Sequence, residues 1–312
     1  MRKLGIDYGD ARVGIAITDP LNITAQGLET IQRNNSDKIV LRRLDEILEK
    51  YEVDTLIVGM PYNIKGEKTV RAEKTEQFIH KLKCKYNKMK ILAIECSAET
   101  ASAAITEDRE LLGVYTKNAG RTHSEKLLPM IDELLCSYSL KIDDLDLLAC
   151  TAGPGSFTGI RIGVSTIKGL AFAKNKPCIG ISSLEALAYG FDSFPEECII
   201  VPSIDARRGN VYNAVFLAET GKPPHRLCDD RLISVSKLVE ELITINKKAI
   251  LCGDGYKTIK KITAEDKNRY INIVEAPPAL LYPNAYATAL CALNKYSNGK
   301  SISDKELSPI YL

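Results

Sequence analysis

The stretch that decides the fold is Leu4-Gly5-Ile6-Asp7 together with Gly14-Ile15-Ala16-Ile17-Thr18, because the chain repeats it. The second copy reads Leu92-Ala93-Ile94-Glu95 and Ser102-Ala103-Ala104-Ile105-Thr106, at a constant offset of 88 residues (95 − 7). In each copy two apolar runs flank a polar bend, a pattern that predicts a β-hairpin whose first strand ends in an acid. A repeat of this length indicates two related α/β units in series.

The repeat extends into a helix and a further strand. Residues 44–48 correspond to 131–135, and residues 53–58 correspond to 145–150. Strands that alternate with helices and hairpins predict mixed sheets covered by helices, which is an α/β fold. Changes in composition near residues 88 and 195 predict three parts, a truncated unit at 1–88 and two further parts at 89–194 and 195–312.

Composition excludes several classes of protein. The 312 residues are 45% apolar and 26% charged, with a formal net charge of +2 and no Trp, so any contact with nucleic acid must be local or made by a partner. Nine cysteines without a C-x-x-C pair and three distant histidines disfavour a zinc site and predict reduced, buried thiols. Without an apolar run of ~18 residues we expect no membrane association and a cytoplasmic location.

Six stretches from residue 89 onward carry a family resemblance. Three of them are Ile91-Leu92-Ala93-Ile94-Glu95-Cys96-Ser97, His123-Ser124-Glu125-Lys126-Leu127-Leu128-Pro129 and Gly153-Pro154-Gly155-Ser156-Phe157-Thr158-Gly159-Ile160-Arg161. Three others are 181–188, Asp205-Ala206-Arg207-Arg208-Gly209-Asn210-Val211-Tyr212 and Pro309-Ile310-Tyr311-Leu312. In these stretches the chain resembles the TsaB (YeaZ) family, a subunit of the bacterial complex that makes threonylcarbamoyladenosine in tRNA. Glu95 departs from the family, which usually has Asp at this position.

The resemblance implies a two-lobed, kinase/Hsp70-like (ASKHA) architecture built from ribonuclease-H-like halves. It also implies a non-catalytic subunit without a cofactor of its own, because nucleotide and catalytic metal belong to the related TsaD subunit. The expected partners are a TsaD-like catalytic subunit and a TsaE-like ATPase. Contact with tRNA would be indirect, through the complex, and a homodimer is an alternative assembly.

Two amphipathic helices, at 123–136 and 161–174, are candidates for the partner interface. Their apolar stripes contain small residues, which permit close approach between helices. The sequence alone weighs this role equally against a role in covering the lobe's own sheet, and the family resemblance favours the interface. The interface candidates are Leu127, Leu128, Ile131, Leu135, Ile162, Thr166 and Gly169.

The glycine-rich loop at 153–159 invites a phosphate-binding interpretation, since glycines before a helix expose backbone N–H groups. No Lys-Ser or Lys-Thr follows Gly159, so the loop is not a P-loop. Close packing between strand and helix is the more economical role for these glycines, and a sugar- or acetate-kinase-like activity is disfavoured. The family residues of the loop are Gly153, Pro154, Gly155, Ser156, Thr158, Gly159 and Arg161.

Residues 1–88 resemble a second family, the YqgF/RuvX-like ribonuclease-H-fold nucleases of precursor ribosomal RNA. The matching text is Gly5-Ile6-Asp7-Tyr8-Gly9, Arg12-Val13-Gly14-Ile15-Ala16 with Asp19, and Val58-Gly59-Met60-Pro61 with Gly66. Only about the first two-thirds of that family is covered. Two-metal hydrolysis needs several converging carboxylates, and Asp7 has no evident partners in Asp19 or Glu67.

We therefore interpret Asp7 as a vestigial nuclease acid. A Mg²⁺-dependent nuclease acting through the first unit remains the alternative function. Truncation also predicts that the first strand, at 3–7, forms an apolar edge of its sheet. For Asp205 and Arg207, beside Tyr212, the sequence favours a salt bridge in a hairpin over a catalytic set.

Overall fold

The computed structural model describes residues 2–34, 36–61, 70–86, 88–98, 100–118, 123–191, 196–264 and 270–312. The chain divides into two compact units, Met1–Asn87 and Lys88–Leu312. Glu67 lies outside the described residues. Among the described residues, no helix combines the length and the apolar character that crossing a bilayer requires.

The first unit is a four-stranded mixed sheet with two helices. Its strand order is β3-β2-β1-β4, with β1 antiparallel to β2 and parallel to β4. The elements are β1 (Arg2–Tyr8), β2 (Arg12–Thr18), β3 (Ala25–Gln32), α1 (Asp37–Tyr51), β4 (Val53–Val58) and α2 (Val70–Tyr86).

The core of the first unit lies between this sheet and its helices. Alternate residues of β1, among them Leu4 and Ile6, meet the apolar face of α1, which buries Leu44. From α2, Phe78 completes the cluster and stacks on Tyr8, with ring centroids 4.1 Å apart. The apolar residues that recur every second position in the strands and every 3.6 positions in the helices therefore pack into one core layer.

The expectation that the first strand forms the sheet edge is wrong. β1 lies between β2 and β4, and β4 forms the edge on the truncated side. The physical reason is the β1–α1–β4 connection, which carries the chain across to a parallel neighbour of β1. The fifth strand that would flank β4 has no counterpart in the described part of this unit.

The second unit begins with a complete five-stranded sheet, in the order β7-β6-β5-β8-β9. Helices α3 and α4 pack on one face of this sheet. The elements are β5 (Lys90–Glu95), β6 (Thr100–Glu107), β7 (Glu110–Asn118), α3 (His123–Ser137), β8 (Leu147–Gly153), α4 (Phe157–Lys174) and β9 (Cys178–Ser182).

A second five-stranded sheet follows with the same order, β12-β11-β10-β13-β14. Helix α8 packs across the first sheet of this unit, α5 packs on the second, and the two helices contact each other between the lobes. The elements are α5 (Ser183–Tyr189), β10 (Cys198–Asp205), β11 (Asn210–Ala218), β12 (His225–Ser234), α6 (Val235–Ile245), β13 (Ala249–Cys252), α7 (Tyr256–Thr263), β14 (Ile273–Glu275) and α8 (Ala285–Ser297).

All three sheets repeat one connection: three antiparallel strands, then a parallel strand after a helix. The protein is an α/β chain of ribonuclease-H-like units in series, as the sequence predicted. A truncated unit precedes a two-lobed one. Equivalent positions at the ends of the first strands, Asp7, Glu95 and Asp205, can therefore be compared directly.

Candidate functional site

Glu95 ends β5 in the interior of the first lobe and is fully buried. The backbone N–H and the hydroxyl of Ser97 donate to its Oε1, at 2.5 and 2.6 Å. Its Oε2 is buried and has no hydrogen-bond partner within the described chain. Burial raises the pKa of this carboxyl, although the hydrogen bonds from Ser97 act in the opposite direction. Glu95 is thus an interior acid that is held by Ser97 and whose pKa is raised by burial.

The glycines at the carboxyl end of β8 pack directly against neighbouring backbone. A Cβ on Gly153 would lie 2.3 Å from the carbonyl oxygen of Ile310, and one on Gly155 would lie 2.5 Å from that of Ser97. Both glycines have positive φ, at 125° and 151°. A Cβ on Gly159 would lie 2.0 Å from the carbonyl oxygen of Cys96. The backbone thus fills the space in front of the loop, which supports the packing role over phosphate binding.

Around these glycines, the polar residues of the loop have local roles. Ser156 caps α4, because its hydroxyl accepts the N–H of Gly159 at 3.3 Å, and its own N–H donates to the carbonyl of Ser97 at 2.8 Å. Pro154 is buried, whereas Thr158 is exposed on the first turn of α4. None of these groups forms an open anion cradle.

The second lobe repeats this closed arrangement. A Cβ on Gly253 would lie 2.3 Å from the carbonyl oxygen of Ser203, and one on Gly255 would lie 2.9 Å from the same atom. Asp254, between them, accepts the backbone N–H of Asp205 at 2.9 Å. Both loops therefore rest on the ends of the first strands of their lobes.

Asp205 and Arg207 do not form the expected salt bridge. The Asp205 carboxylate instead accepts the backbone N–H of Arg207, at 2.9 Å. This contact shapes the β10–β11 hairpin from within, because a side chain that bonds the backbone two residues on stabilises a turn. Neither residue is arranged as part of a catalytic set with Tyr212.

Arg161 organises an exposed cluster on the first turns of α4. Its guanidinium lies 3.8 Å from the ring centroid of Phe157, and its Nε donates to the hydroxyl of Tyr311 at 2.9 Å. The N–H of Ile310 donates to the carbonyl of Ala152, at 2.7 Å. The last residues of the chain are therefore fastened beside the N-terminal end of α4.

The structure separates the seven predicted interface residues into two groups. Leu127, Ile131 and Leu135 are buried in the core of their own lobe, so the regular stripe of α3 covers its sheet. Leu128, in contrast, is 54% exposed. On α4, Ile162 and Thr166 are half-buried and Gly169 is exposed, with open space where a Cβ would stand.

Asp7 lies exposed on the face of the first unit's sheet opposite its helices. It borders an open trough of about 660 Å³ whose floor is formed by small residues. Nearby acids are committed elsewhere: Asp10 pairs with Lys74 at 2.7 Å. Glu29, which also lines the trough, pairs with Arg43 at 2.7 Å. The residues at the floor and walls include Gly5, Gly14, Ala16, Gly27, Ile57 and Gly59.

Asp19 is a loop-stabilising residue and not a metal ligand. Its carboxylate accepts the hydroxyl and N–H of Thr24 and the N–H groups of Leu21 and Ile23. These bonds, led by that of the Thr24 hydroxyl, lower its pKa to about 2. Within the described ranges, no three His, Cys, Asp or Glu side chains are grouped so that they could hold a metal ion. The side chains of the described residues therefore do not fit a two-metal nuclease centre.

Comparison with known sequences identifies the family of the second unit. The family model "TsaD: tRNA N6-adenosine threonylcarbamoyltransferase" matches residues 95–298. The tRNA threonylcarbamoyladenosine biosynthesis protein TsaB of Haemophilus influenzae is 31% identical over 229 residues, which cover 71% of this chain and 92% of that protein. The chain belongs to the TsaB family. Its TsaB relative in Escherichia coli is 27% identical, over 72% of this chain and 94% of the relative.

A solved structure agrees on the fold. A Pseudomonas aeruginosa protein described as similar to peptidase YEAZ superposes with a TM-score of 0.61 at 23% identity. The superposition covers 72% of this chain and 99% of that structure. The TsaB-like unit thus has the YeaZ fold, and at this identity the likeness extends to the fold alone.

The first unit has relatives of its own. The family model "RuvX: Holliday junction resolvase" matches residues 1–124, so it overlaps the TsaD match and extends beyond residue 88. A protein named "Putative pre-16S rRNA nuclease" from Ruminiclostridium cellulolyticum is 51% identical over 82 residues, which span 26% of this chain and 58% of that relative. The chain is therefore a TsaB-family protein fused to part of a RuvX-like unit.

Sequence reasoning missed two polar arrangements. The first is the cation–π cluster in which the rings of Phe157 and Tyr311 lie near the Arg161 guanidinium. Phe157, four residues before Arg161, was a signal for this contact, but the sequence analysis used both aromatics only as part of the family resemblance. The other arrangement joins α5, β12 and α8, because Glu185 pairs with Arg226 at 3.5 Å and with Lys295 at 2.5 Å. Residues so distant in sequence give no local signal for such a network.

Proposed function

We propose that this protein is a non-catalytic subunit in the biosynthesis of threonylcarbamoyladenosine in tRNA, where it pairs with a TsaD-like catalytic subunit. Membership of the TsaB family supports the role in this biosynthesis. The observation that carries the pairing is an exposed apolar surface on the first lobe. We call it the α4 surface, and it consists of Leu128, Phe157, Ser165, Gly169 and Phe172.

The α4 surface has the composition of a helix-packing interface. Leu128, on α3, and Phe157 and Phe172, on the neighbouring helix α4, are 54%, 56% and 74% exposed, an unusual amount for large apolar side chains. Ser165 and Gly169 lie exposed between the two aromatics, so the backbone of a partner helix can approach closely. Aromatic anchors beside small residues are typical of positions that dominate binding energy.

The assignment as a non-catalytic subunit rests on the closed loops. Gly155 and Gly253 bring backbone against backbone where a kinase-like protein would need room for phosphates. The nucleotide and metal chemistry of the complex would then belong to the partner. A TsaE-like ATPase as a further partner and a cytoplasmic location follow from the same proposal.

Binding of the full chain to a purified TsaD-like protein tests the proposal. We expect the double variant Leu128→Asp/Phe172→Asp to weaken binding at least about 100-fold, because charges would be buried without partners. The matched control is Leu232→Asp, on the second lobe, where the leucine is 55% exposed. If the control weakens binding as much, or the double variant binds like the parent chain, the partner does not occupy the α4 surface.

We do not adopt the alternative of an RNA nuclease acting through the first unit. Its relatives are nucleases by name, and the chain spans 58% of the Ruminiclostridium protein. Among the described residues, Asp7 belongs to no group of three or more His, Cys, Asp or Glu side chains that could hold a metal ion. Mg²⁺ would matter only for that alternative.

A further inference from the structure

The tip of the β10–β11 hairpin holds two arginines in a conformation that arginine rarely adopts. Arg207 and Arg208 have φ angles of 65° and 53°, and Gly209 continues the left-handed run with 74°. Of the non-glycine residues with positive φ in the described chain, four are Asn, and these two are the consecutive pair. Asn tolerates this left-handed region and Arg does not favour it, so the two arginines adopt a backbone conformation that their residue type disfavours.

Hydrogen bonds from several directions hold this tip. Asp254 accepts the N–H of Asp205, and Asp205 in turn accepts the N–H of Arg207, each at 2.9 Å. The carbonyl of Gly209 accepts the N–H of Val235, the first residue of α6, at 3.0 Å. The hairpin is therefore fixed to both β13 and α6, and its left-handed turn is set in advance of any contact.

The side chains at the tip are positively charged and uncommitted. Arg207 and Arg208 are exposed, and within the described residues neither guanidinium has a hydrogen bond or an ion pair. Lys237, on the first turn of α6, is likewise exposed and without a salt bridge to the described residues. Lys237 follows Val235, whose N–H is bonded to Gly209, so it belongs to the same surface. The three cations outnumber the carboxylates of Asp205 and Asp254 at the base of the tip, which leaves a local positive charge in a chain whose net charge is only +2.

We propose that this hairpin tip contacts the phosphate backbone of RNA. Arginine donates to phosphate oxygens through a planar fork of N–H groups, and a turn fixed beforehand loses little freedom on binding. Phosphate contacts position RNA without reading its sequence. The inference rests on the proposed function only for the choice of RNA, since a subunit of a tRNA-modifying complex works beside that polyanion.

Fluorescence anisotropy of labelled bulk tRNA with the full chain, over a series of salt concentrations, tests this site. The variant Arg207→Asn/Arg208→Asn removes two charges and suits the left-handed backbone, so its melting temperature should equal or exceed that of the parent chain. We expect its affinity for tRNA to fall at least about tenfold and the slope of log K against log salt to decrease by roughly one to two.

The matched control is Lys38→Gln/Arg42→Gln, which removes two charges from the exposed side of α1. An equal loss in the control, or parent-like binding by the Asn variant, would overturn the proposal. So would the absence of salt-dependent tRNA binding by the parent chain. If the Asn variant loses the TsaD-like partner and keeps tRNA, the arginines face protein and the proposal fails, while the pairing itself stands or falls with the α4 surface.

Discussion

The first unit and the first TsaB-like lobe contain the same sheet at two stages of completion. In the lobe, β8 lies between β5 and β9, and its Leu148 and Cys150 are fully buried. In the first unit, β4 has β1 on one side, and the equivalent Leu56 and Val58 are half-buried. Because β4 has no neighbouring strand on its second side, its apolar side chains stay partly exposed, although β4 is similar in apolar character to β8.

The same comparison holds for the acids that end the first strands. Asp7 is exposed beside an open trough, whereas Glu95 is buried with one unpartnered oxygen. The faces differ too, since α8 packs across the lobe's sheet and the described residues of the first unit supply no second layer of helix there. Acids at equivalent positions of a repeated fold therefore need not share a chemical role, because burial changes how readily each acid ionises.

The largest expected effect contrasts two glycines that follow equivalent strands. Gly155→Ala would place a Cβ 2.5 Å from the Ser97 carbonyl at φ 151°, and should lower the free energy of unfolding of the second unit by about 2–4 kcal/mol. Gly59→Ala meets its nearest atom at 3.7 Å and should change stability by less than about 0.5 kcal/mol. Urea denaturation followed by circular dichroism measures both. Similar effects in the two variants would mean that the loop of the second unit is not closely packed.

A smaller effect should separate the two acids by pH. The folded state raises the pKa of Glu95 above its ordinary 4.5. As pH rises from 4.5 toward the raised pKa of the folded state, Glu95 loses its proton in the unfolded chain before it does so in the folded chain. The free energy of unfolding therefore falls over this range of pH. Glu95→Gln should remove this fall and make the chain about 1–2 kcal/mol more stable than the parent at neutral pH, with no gain at pH 4.

Thermal melts from pH 4 to pH 8 measure this difference, with Asp7→Asn as the control at an exposed acid. Parallel profiles for the Glu95→Gln variant and the parent would show that Glu95 ionises in the folded state as readily as in the unfolded one.

The smallest expected effect concerns catalysis by the first unit. Since Asp7 lacks the converging carboxylates that two metal ions require, we expect no appreciable cleavage of structured RNA with Mg²⁺ or Mn²⁺. Asp7→Asn should then leave the background rate unchanged. Metal-dependent cleavage that disappears in this variant would restore the nuclease interpretation.

The repeat in the sequence predicted much of the fold, because strand and helix periodicities are local. Ser182 and Glu185 lie within the stretch 181–188 and start helix α5, where the Ser182 hydroxyl accepts the N–H of Glu185 at 3.2 Å. Helix α4 starts at Phe157, before the expected 161, because Ser156 caps it. A glycine-rich run concealed that cap.

The candidate site was less predictable, since its geometry depends on distant residues. The apolar stripe of α3 identified an inward face, so Leu127 and Ile131 were placed at an interface although they fill the core. Leu128 on the same helix, and Phe172 on α4, are exposed apolar residues. Nothing near Gly153 indicates that Ile310 packs against it, and long-range contacts of this kind cannot be read from local spacing.

Amide hydrogen exchange of the full chain tests the central claim most directly, that the first unit is an incomplete copy of the sheet in the second. The account predicts that amides of β4 exchange at least roughly tenfold faster than those of β8, and that the hairpin at 2–18 is less protected than the hairpin at 90–107. Equal protection of β4 and β8, at the level of global unfolding, would contradict the account and show that the first unit is a self-sufficient domain.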